Sequence, residues 1–210
     1  MNKCGFSITI IAILIALSNH LAGQVSTYLG LDFSSTYLKD RTVFSQLGFK
    51  EHVGLGGEIT FRALFGRDES LGFSIHGGYY QRSIQGVIDL GEAFQGSAIK
   101  EVPINEMQHY MVNEFTFDYQ PIKLQENRFI LSAGTMALTL FDKSYRNGRN
   151  TALGPTIAVA YEVSMGHSGL ALRGASSFTY FVDHLLYESI TQLNVGLIWN
   201  MKFSGNRGLY

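Results

Sequence analysis

Apolar and polar side chains alternate with a period of two residues through most of this chain. One face of the first such segment carries Val25, Thr27, Leu29, Leu31 and Phe33, and the other carries Ser26, Tyr28, Gly30, Asp32 and Ser34. Successive side chains of a β-strand point to opposite faces, so this period indicates strands. From Gln24 onward no segment reaches the roughly 20 apolar residues of a membrane-spanning helix.

About eight segments of this kind follow one another, and each exceeds the roughly 9 to 11 tilted residues with which a strand crosses a membrane. The connections alternate in length, being mostly short at residues 66–70, 120–127 and 164–168 and longer or more polar at 35–50, 84–106, 142–152 and 182–188. Outer-membrane barrels have short periplasmic turns and long outer loops. We therefore predict an all-β fold, a single antiparallel up-and-down transmembrane β-barrel of about eight strands that begins on the periplasmic side.

The first residues have the pattern of a secretory signal peptide. Lys3 precedes an apolar stretch of about 12 residues at 6–17, the length of a signal-peptide core, and Ala22 and Gly23 provide small residues at a cleavage site. Cys4 lies ahead of the apolar stretch, so it is not a lipoprotein cysteine. The alternative is a buried core helix. We predict a signal peptide at residues 1–23 and a barrel domain at 24–210.

Charge placement bears on which face of the strands meets lipid. Only 16% of the residues are charged and the net charge is -1, which gives no reason to expect nucleic acid as a partner. The strand charges share the polar face, and aromatic residues recur near strand ends, as in an interfacial girdle. We therefore expect the apolar face to meet outer-membrane lipid. A secreted, soluble, lipocalin-like binding barrel is the alternative, in which that face would point inward.

The lumen of an eight-stranded barrel is just wide enough for side chains to fill it. We predict a largely plugged lumen with a network of paired charges at Glu58, Arg62, Arg82, Glu114, Glu162, Arg173 and Lys202. We expect no cofactor, no metal site and no catalytic residue, because the histidines lack ligand spacing. Hydrogen bonding in loops or lumen is the expected role of His52, His76 and His109.

Two segments fit this scheme less well. Both faces of the fifth strand are apolar, since Ile130, Met136, Leu138 and Leu140 occupy the face expected to be polar. The first half of the fourth strand places His109 and Asn113 among the apolar positions, so we expect that stretch to leave the membrane.

Several loose motifs resemble the PorT-like outer-membrane β-barrel proteins. They are LGLDFSS at residues 29–35, GLGGEITF at 54–61, KEVPI at 100–104 and GPTIAVAYEV at 154–163. The last strand is more specific, because the spacing of Asn194, Gly196, Trp199, Met201 and Phe203 is similar to the assembly signal read by the barrel-insertion machinery. The resemblance implies a membrane barrel, and some members serve secretion or motility machines.

These observations predict a non-enzymatic protein of the cell outer membrane with a structural or interaction role through its outer loops. One alternative is an accessory subunit of an envelope secretion or motility machine, with an envelope protein as partner. Another is a lipid A-modifying enzyme that would use His184, Glu188 and Ser189 near the outer leaflet. Such an enzyme needs its nucleophile and base within about 3 Å of each other.

Overall fold

The computed structural model describes residues 25–40, 53–66, 69–89, 101–124, 127–141, 151–166, 169–182 and 187–201. The predicted signal peptide lies outside these residues, as do Lys202, Phe203, His52 and His184. Eight strands follow in order: β1 Val25–Asp40, β2 Gly54–Phe65, β3 Leu71–Asp89, β4 Glu101–Leu124, β5 Asn127–Leu140, β6 Thr151–Ser164, β7 Leu170–Tyr180 and β8 Tyr187–Met201. No helix in the described ranges is long and apolar enough to cross a membrane.

The eight strands form a closed barrel in which each strand pairs with its sequence neighbours and β8 returns to β1. Every pairing is antiparallel, and the closing pair aligns Leu31 with Leu197 and Asp32 with Gly196. Closure leaves no free strand edge around the body of the barrel. Beyond it, among the residues that the structure describes, residues 82–89 of β3 and 101–108 of β4 pair only with each other. The predicted fold class is therefore confirmed.

The connections differ between the two ends of the barrel. Residues 66–70, 125–126 and 165–169 connect strands at one end, called the short-turn end, and longer connections lie at the other, the long-loop end. The turn predicted at 120–127 is wrong, because Leu124 pairs directly with Asn127. A register shift between Tyr119 and Ile122 conceals this pairing in the sequence, and Pro121, which has no N–H for the ladder, lies inside it.

The loop predicted at 84–106 is also mostly strand. β3 and β4 stay paired up to Asp89 and Glu101, so only residues 90–100 lie outside the described hairpin. His109 and Asn113 therefore remain in the wall of the barrel. The Tyr79 hydroxyl lies 2.6 Å from His109 Nδ1 on the outer surface, where a hydrogen bond joins them.

Large apolar side chains cover the outside of the barrel. Leu31, Phe33, Phe117, Ile157 and Val195 are each at least 60% exposed, while their polar neighbours Asp32, Ser34 and Asn194 are buried inside. Outward aromatic residues lie near both ends, with Tyr119, Tyr161 and Trp199 toward the short-turn end and Tyr37, Tyr79 and Tyr180 toward the long-loop end. This arrangement is the reverse of a soluble lipocalin-like barrel, so that alternative is wrong.

The apolar exterior can be tested with a charge at two depths. Val195 lies in the middle of β8, whereas Val53 precedes β2 at the long-loop end. We expect Val195→Arg to destabilise the inserted barrel by about 2 to 4 kcal/mol and Val53→Arg by about 0 to 1 kcal/mol, because a charge costs most at the bilayer midplane. Urea unfolding in lipid vesicles, followed by heat-modifiable gel mobility, measures both. Equal costs would contradict the outward assignment of Val195.

Candidate functional site

The lumen next to the long-loop end is filled by a layer of apolar side chains. This apolar layer consists of Leu38, Tyr80, Tyr110, Val112, Met136, Leu138, Leu140, Ala152, Phe181, Tyr187 and Ile190. The rings of Tyr80 and Tyr110 stack with centroids 5.5 Å apart at its centre. The layer explains why β5 is apolar on both faces, because Met136 and Leu138 enter the lumen and contribute to it.

Glycines on β2 and β3 make room for the Tyr80 ring. A Cβ atom at Gly56 or at Gly78 would lie 2.6 Å from atoms of this ring, closer than a carbon contact allows. Gly56 of the GLGG segment therefore has a packing role inside the lumen, and so does Gly54, where a Cβ would lie 2.2 Å from the Tyr110 hydroxyl oxygen.

Charged side chains fill the lumen between the apolar layer and the short-turn end. We call this region the polar chamber; its titratable members are Asp32, Glu58, Arg62, His76, Glu114, Asp118, Glu162 and Arg173. Arg62 is 1% exposed and lies between two carboxylates. Its Nε donates to Asp118 Oδ2 at 3.2 Å, and its Nη1 donates to Glu162 Oε1. The Ser74 hydroxyl accepts a hydrogen bond from Arg62 Nε and donates one to Asp118 Oδ2, which holds the Arg62 guanidinium in place.

Arg173 forms the second centre of the polar chamber. Its Nη1 donates to Asp32 Oδ2 and, at 3.0 Å, to Thr60 Oγ1. Its Nε is 3.9 Å from Glu162 Oε1, so Glu162 lies between the two arginines. The Arg62 and Arg173 ion pairs thus share one carboxylate.

Glu58 connects the polar chamber with the apolar layer. Its Oε1 lies 2.8 Å from His76 Nδ1, and its Oε2 accepts a hydrogen bond from the Tyr80 hydroxyl at 2.9 Å. Asn194 Nδ2 donates to Glu58 Oε1 at 3.4 Å. Both carboxylate oxygens of Glu58 are therefore hydrogen-bonded. The Tyr80 hydroxyl in turn accepts a hydrogen bond from Gln192 Nε2 at 2.9 Å.

The charges predicted from the sequence divide into three groups. Glu58, Arg62, Glu114, Glu162 and Arg173 share the polar chamber, whereas Lys202 lies outside the described residues. Arg82 lies at the long-loop end, where its Nε donates to Gln108 Oε1 at 2.8 Å and its guanidinium lies over the Tyr187 ring. The prediction omitted Asp32, Asp118 and His76. All three lie on the polar face of their strands, as the predicted residues do, and this position is the signal that could have identified them.

A smaller polar cluster closes the short-turn end. Arg128 Nη2 lies 3.0 Å from Glu69 Oε2, and its guanidinium is 4.6 Å from the centroid of the Tyr28 ring. A cavity of about 80 Å³ adjoins this cluster, and Glu162 of the polar chamber is among its lining residues.

The residues considered for lipid A chemistry are only partly described. Ser189 is 7% exposed in β8, and Glu188 Oε1 accepts from Lys39 Nζ at 2.9 Å at the long-loop end. The described part of the chain contains no group of three His, Cys, Asp or Glu side chains that could hold a metal ion. The absence of enzymatic activity stays a prediction.

The residues of the proposed assembly signal lie on both faces of β8. Asn194 is buried inside, whereas Trp199 is 53% exposed outside. Gly196 has a packing role of its own, because a Cβ there would collide with Asp32 and with the Leu31 carbonyl. Packing alone therefore accounts for this glycine, and recognition by the insertion machinery stays a prediction.

The buried ion pairs of Arg62 can be compared with an exposed pair. We expect Arg62→Gln to lower the free energy of unfolding by about 3 to 5 kcal/mol, because Asp118 and Glu162 lose a buried partner. Lys39→Gln is the matched control, and breaking its surface pair should cost about 1 kcal/mol or less. Urea titration of the refolded barrels measures both values. Similar losses in the two variants would show that the buried network adds no special stability.

Comparison with solved structures supports the fold. Neisserial surface protein A matches with a TM-score of 0.55 at 10% identity, covering 83% of this chain and 97% of that chain. The outer membrane protein OprG from Pseudomonas aeruginosa matches with a TM-score of 0.56 at 9% identity, covering 84% and 96%. No protein-family model and no curated protein sequence matches, so the PorT-like resemblance stays a prediction. The chain is an eight-stranded β-barrel of the outer-membrane kind.

Proposed function

We propose that this protein is a plugged outer-membrane barrel with a structural or interaction role carried by the connections at its long-loop end. The observation that carries the proposal is the filled lumen. The apolar layer crosses it near the long-loop end, and the paired charges of the polar chamber fill it below. An eight-stranded barrel has no room for a channel beside such side chains. The surface outside the membrane is then the part left for contact with other molecules.

Membrane fractionation together with heat-modifiable gel mobility tests location and barrel closure at once. We expect the protein in the outer-membrane fraction, with the unheated sample migrating faster than the heated one. Recovery of a monomeric protein in aqueous buffer without detergent would contradict the proposal.

The seal of the lumen can be tested by conductance in planar bilayers. We expect no stepwise conductance from the wild type, because the apolar layer excludes water and ions. The double variant Tyr80→Ala, Tyr110→Ala removes the stacked pair and should admit small ions. Heat-modifiable mobility of the variant shows whether the barrel still closes. Stable conductance steps from the wild type would contradict a plugged lumen.

We propose as a second candidate an accessory subunit of an envelope secretion or motility machine, the role that the PorT-like resemblance implies. One observation favours it: Asn113 is exposed on the outer surface between Gly77 and Ala137. An amide without a hydrogen-bond partner is costly in hydrocarbon, and a protein neighbour with polar groups would relieve that cost. A photocrosslinking residue at position 113 should capture an envelope protein that the same residue at position 157, on β6, does not capture.

A further inference from the structure

The hairpin of β3 and β4 continues past the body of the barrel at the long-loop end. Within the described chain, β2 pairs with β3 only as far as Gln81, and β5 pairs with β4 only as far as Tyr110. Residues 82–89 and 101–108 continue the ladder with each other without a register shift. The hairpin therefore has two outer edges, one along β3 and one along β4, and each has the length of an ordinary strand.

The ladder determines which backbone groups point away from the hairpin. In an antiparallel pair, directly opposite residues either bond each other or both face away, and the two kinds alternate. The His109 carbonyl accepts a hydrogen bond from the Phe141 N–H, so the odd-numbered residues of β4 face the β5 side. Odd-numbered residues of β3 lie opposite them and therefore face the β2 side, where the described pairing ends at Gln81. The outward N–H and C=O groups of the β3 edge belong to Ser83, Gln85, Val87 and Asp89.

The two edges differ in how well they can accept a further strand. Pro103 has an odd position in β4, so its missing N–H falls on the outer edge and costs the hairpin no hydrogen bond. Proline on an edge is one of the devices that prevent pairing with another chain. Residues 82–89 contain neither proline nor lysine, and the residue directly opposite Pro103 is Val87. The β3 edge is therefore the edge without such protection.

We propose that the β3 edge at residues 82–89 binds an extended segment of another protein, which adds to the hairpin as an antiparallel strand in line with β2. Main-chain hydrogen bonds supply the affinity in this mode of recognition. Ile84, Val87 and Ile88 favour a segment with β-branched or aromatic residues across from them. The proposal rests on the interaction role of the long-loop end and specifies the kind of partner.

A second copy of this chain does not fit the β3 edge. Two barrels inserted in one membrane have the same orientation, so a two-fold axis between them runs along the membrane normal and brings their β3 edges together in parallel. In a parallel ladder, a bonded residue of one strand lies beside a residue of the other strand that faces away. A two-fold axis cannot relate two such strands, so the occupant is a chain of another kind.

Amide hydrogen exchange of the full-length barrel refolded in detergent, followed by NMR, tests the edge residue by residue. We expect slow exchange at Ile84, Gly86 and Ile88, whose N–H groups bond β4, and fast exchange at Ser83, Gln85 and Val87. The probe is a synthetic peptide in which valine and threonine alternate between terminal lysines. At saturation the peptide should slow exchange of the three edge amides by about tenfold or more.

Two proline variants at directly opposite positions separate the two edges. Gln85→Pro removes one N–H from the β3 edge, Asn105→Pro removes one from the β4 edge, and neither change breaks a hydrogen bond between the two strands. We expect Gln85→Pro to weaken peptide binding by about tenfold or more, and Asn105→Pro to leave it within about twofold of the wild type. If Gln85→Pro does not refold, Val87→Pro, opposite the natural Pro103, replaces it.

Three results would overturn the proposal. Unchanged exchange at millimolar peptide would show that the edge accepts no strand, and equal weakening in the two proline variants would place the peptide elsewhere. Slow exchange at the edge amides without peptide would assign the edge to another segment of the same chain, or to a second copy if the slowing increases with protein concentration. Conductance and heat-modifiable mobility are independent of these results, so failure of this inference is distinguishable from failure of the proposed function.

Discussion

Pairing of every backbone N–H and C=O group is the constraint on which the rest of this structure depends. Hydrocarbon offers no hydrogen bonds, so strands can cross a membrane only when the sheet closes on itself. Here β8 closes on β1 over most of its length. Closure then assigns one side of every strand to lipid and the other to the lumen, and the two-residue period of the sequence follows.

This division moves the problem of polar burial into the lumen. The side chains that cannot face lipid must find partners among one another across the barrel, and they do so in two separate regions. Toward the short-turn end, Arg62 and Arg173 form ion pairs with the carboxylates. Toward the long-loop end, the stacked rings of Tyr80 and Tyr110 exclude water. Neither the two-residue period nor the length of the strands determines which lumen positions are charged and which are apolar.

The sequence predicts the facing of individual residues better than their partners. The outward position of Val195 and the inward position of Glu58 both follow from parity, which depends only on neighbouring residues. Arg62 and Glu162 are 100 residues apart, and their contact depends on strand tilt and register. The apolar layer could not be predicted either, because it also depends on contacts between distant strands. An apolar residue such as Met136 fits the lumen only because Tyr80 and Phe181 pack in the same layer. Local pattern cannot supply such information.

Tyr80 makes the two regions of the lumen dependent on each other. Its ring packs in the apolar layer over Gly56 and Gly78, while its hydroxyl donates to Glu58 and accepts from Gln192. A carboxylate accepts this hydrogen bond more strongly than a neutral carboxylic acid does, because charge-assisted hydrogen bonds are the stronger kind. The charge state of Glu58 therefore bears directly on the position of the ring that closes the lumen. The charges of the polar chamber and the packing of the apolar layer are therefore coupled through the hydrogen bond between Tyr80 and Glu58.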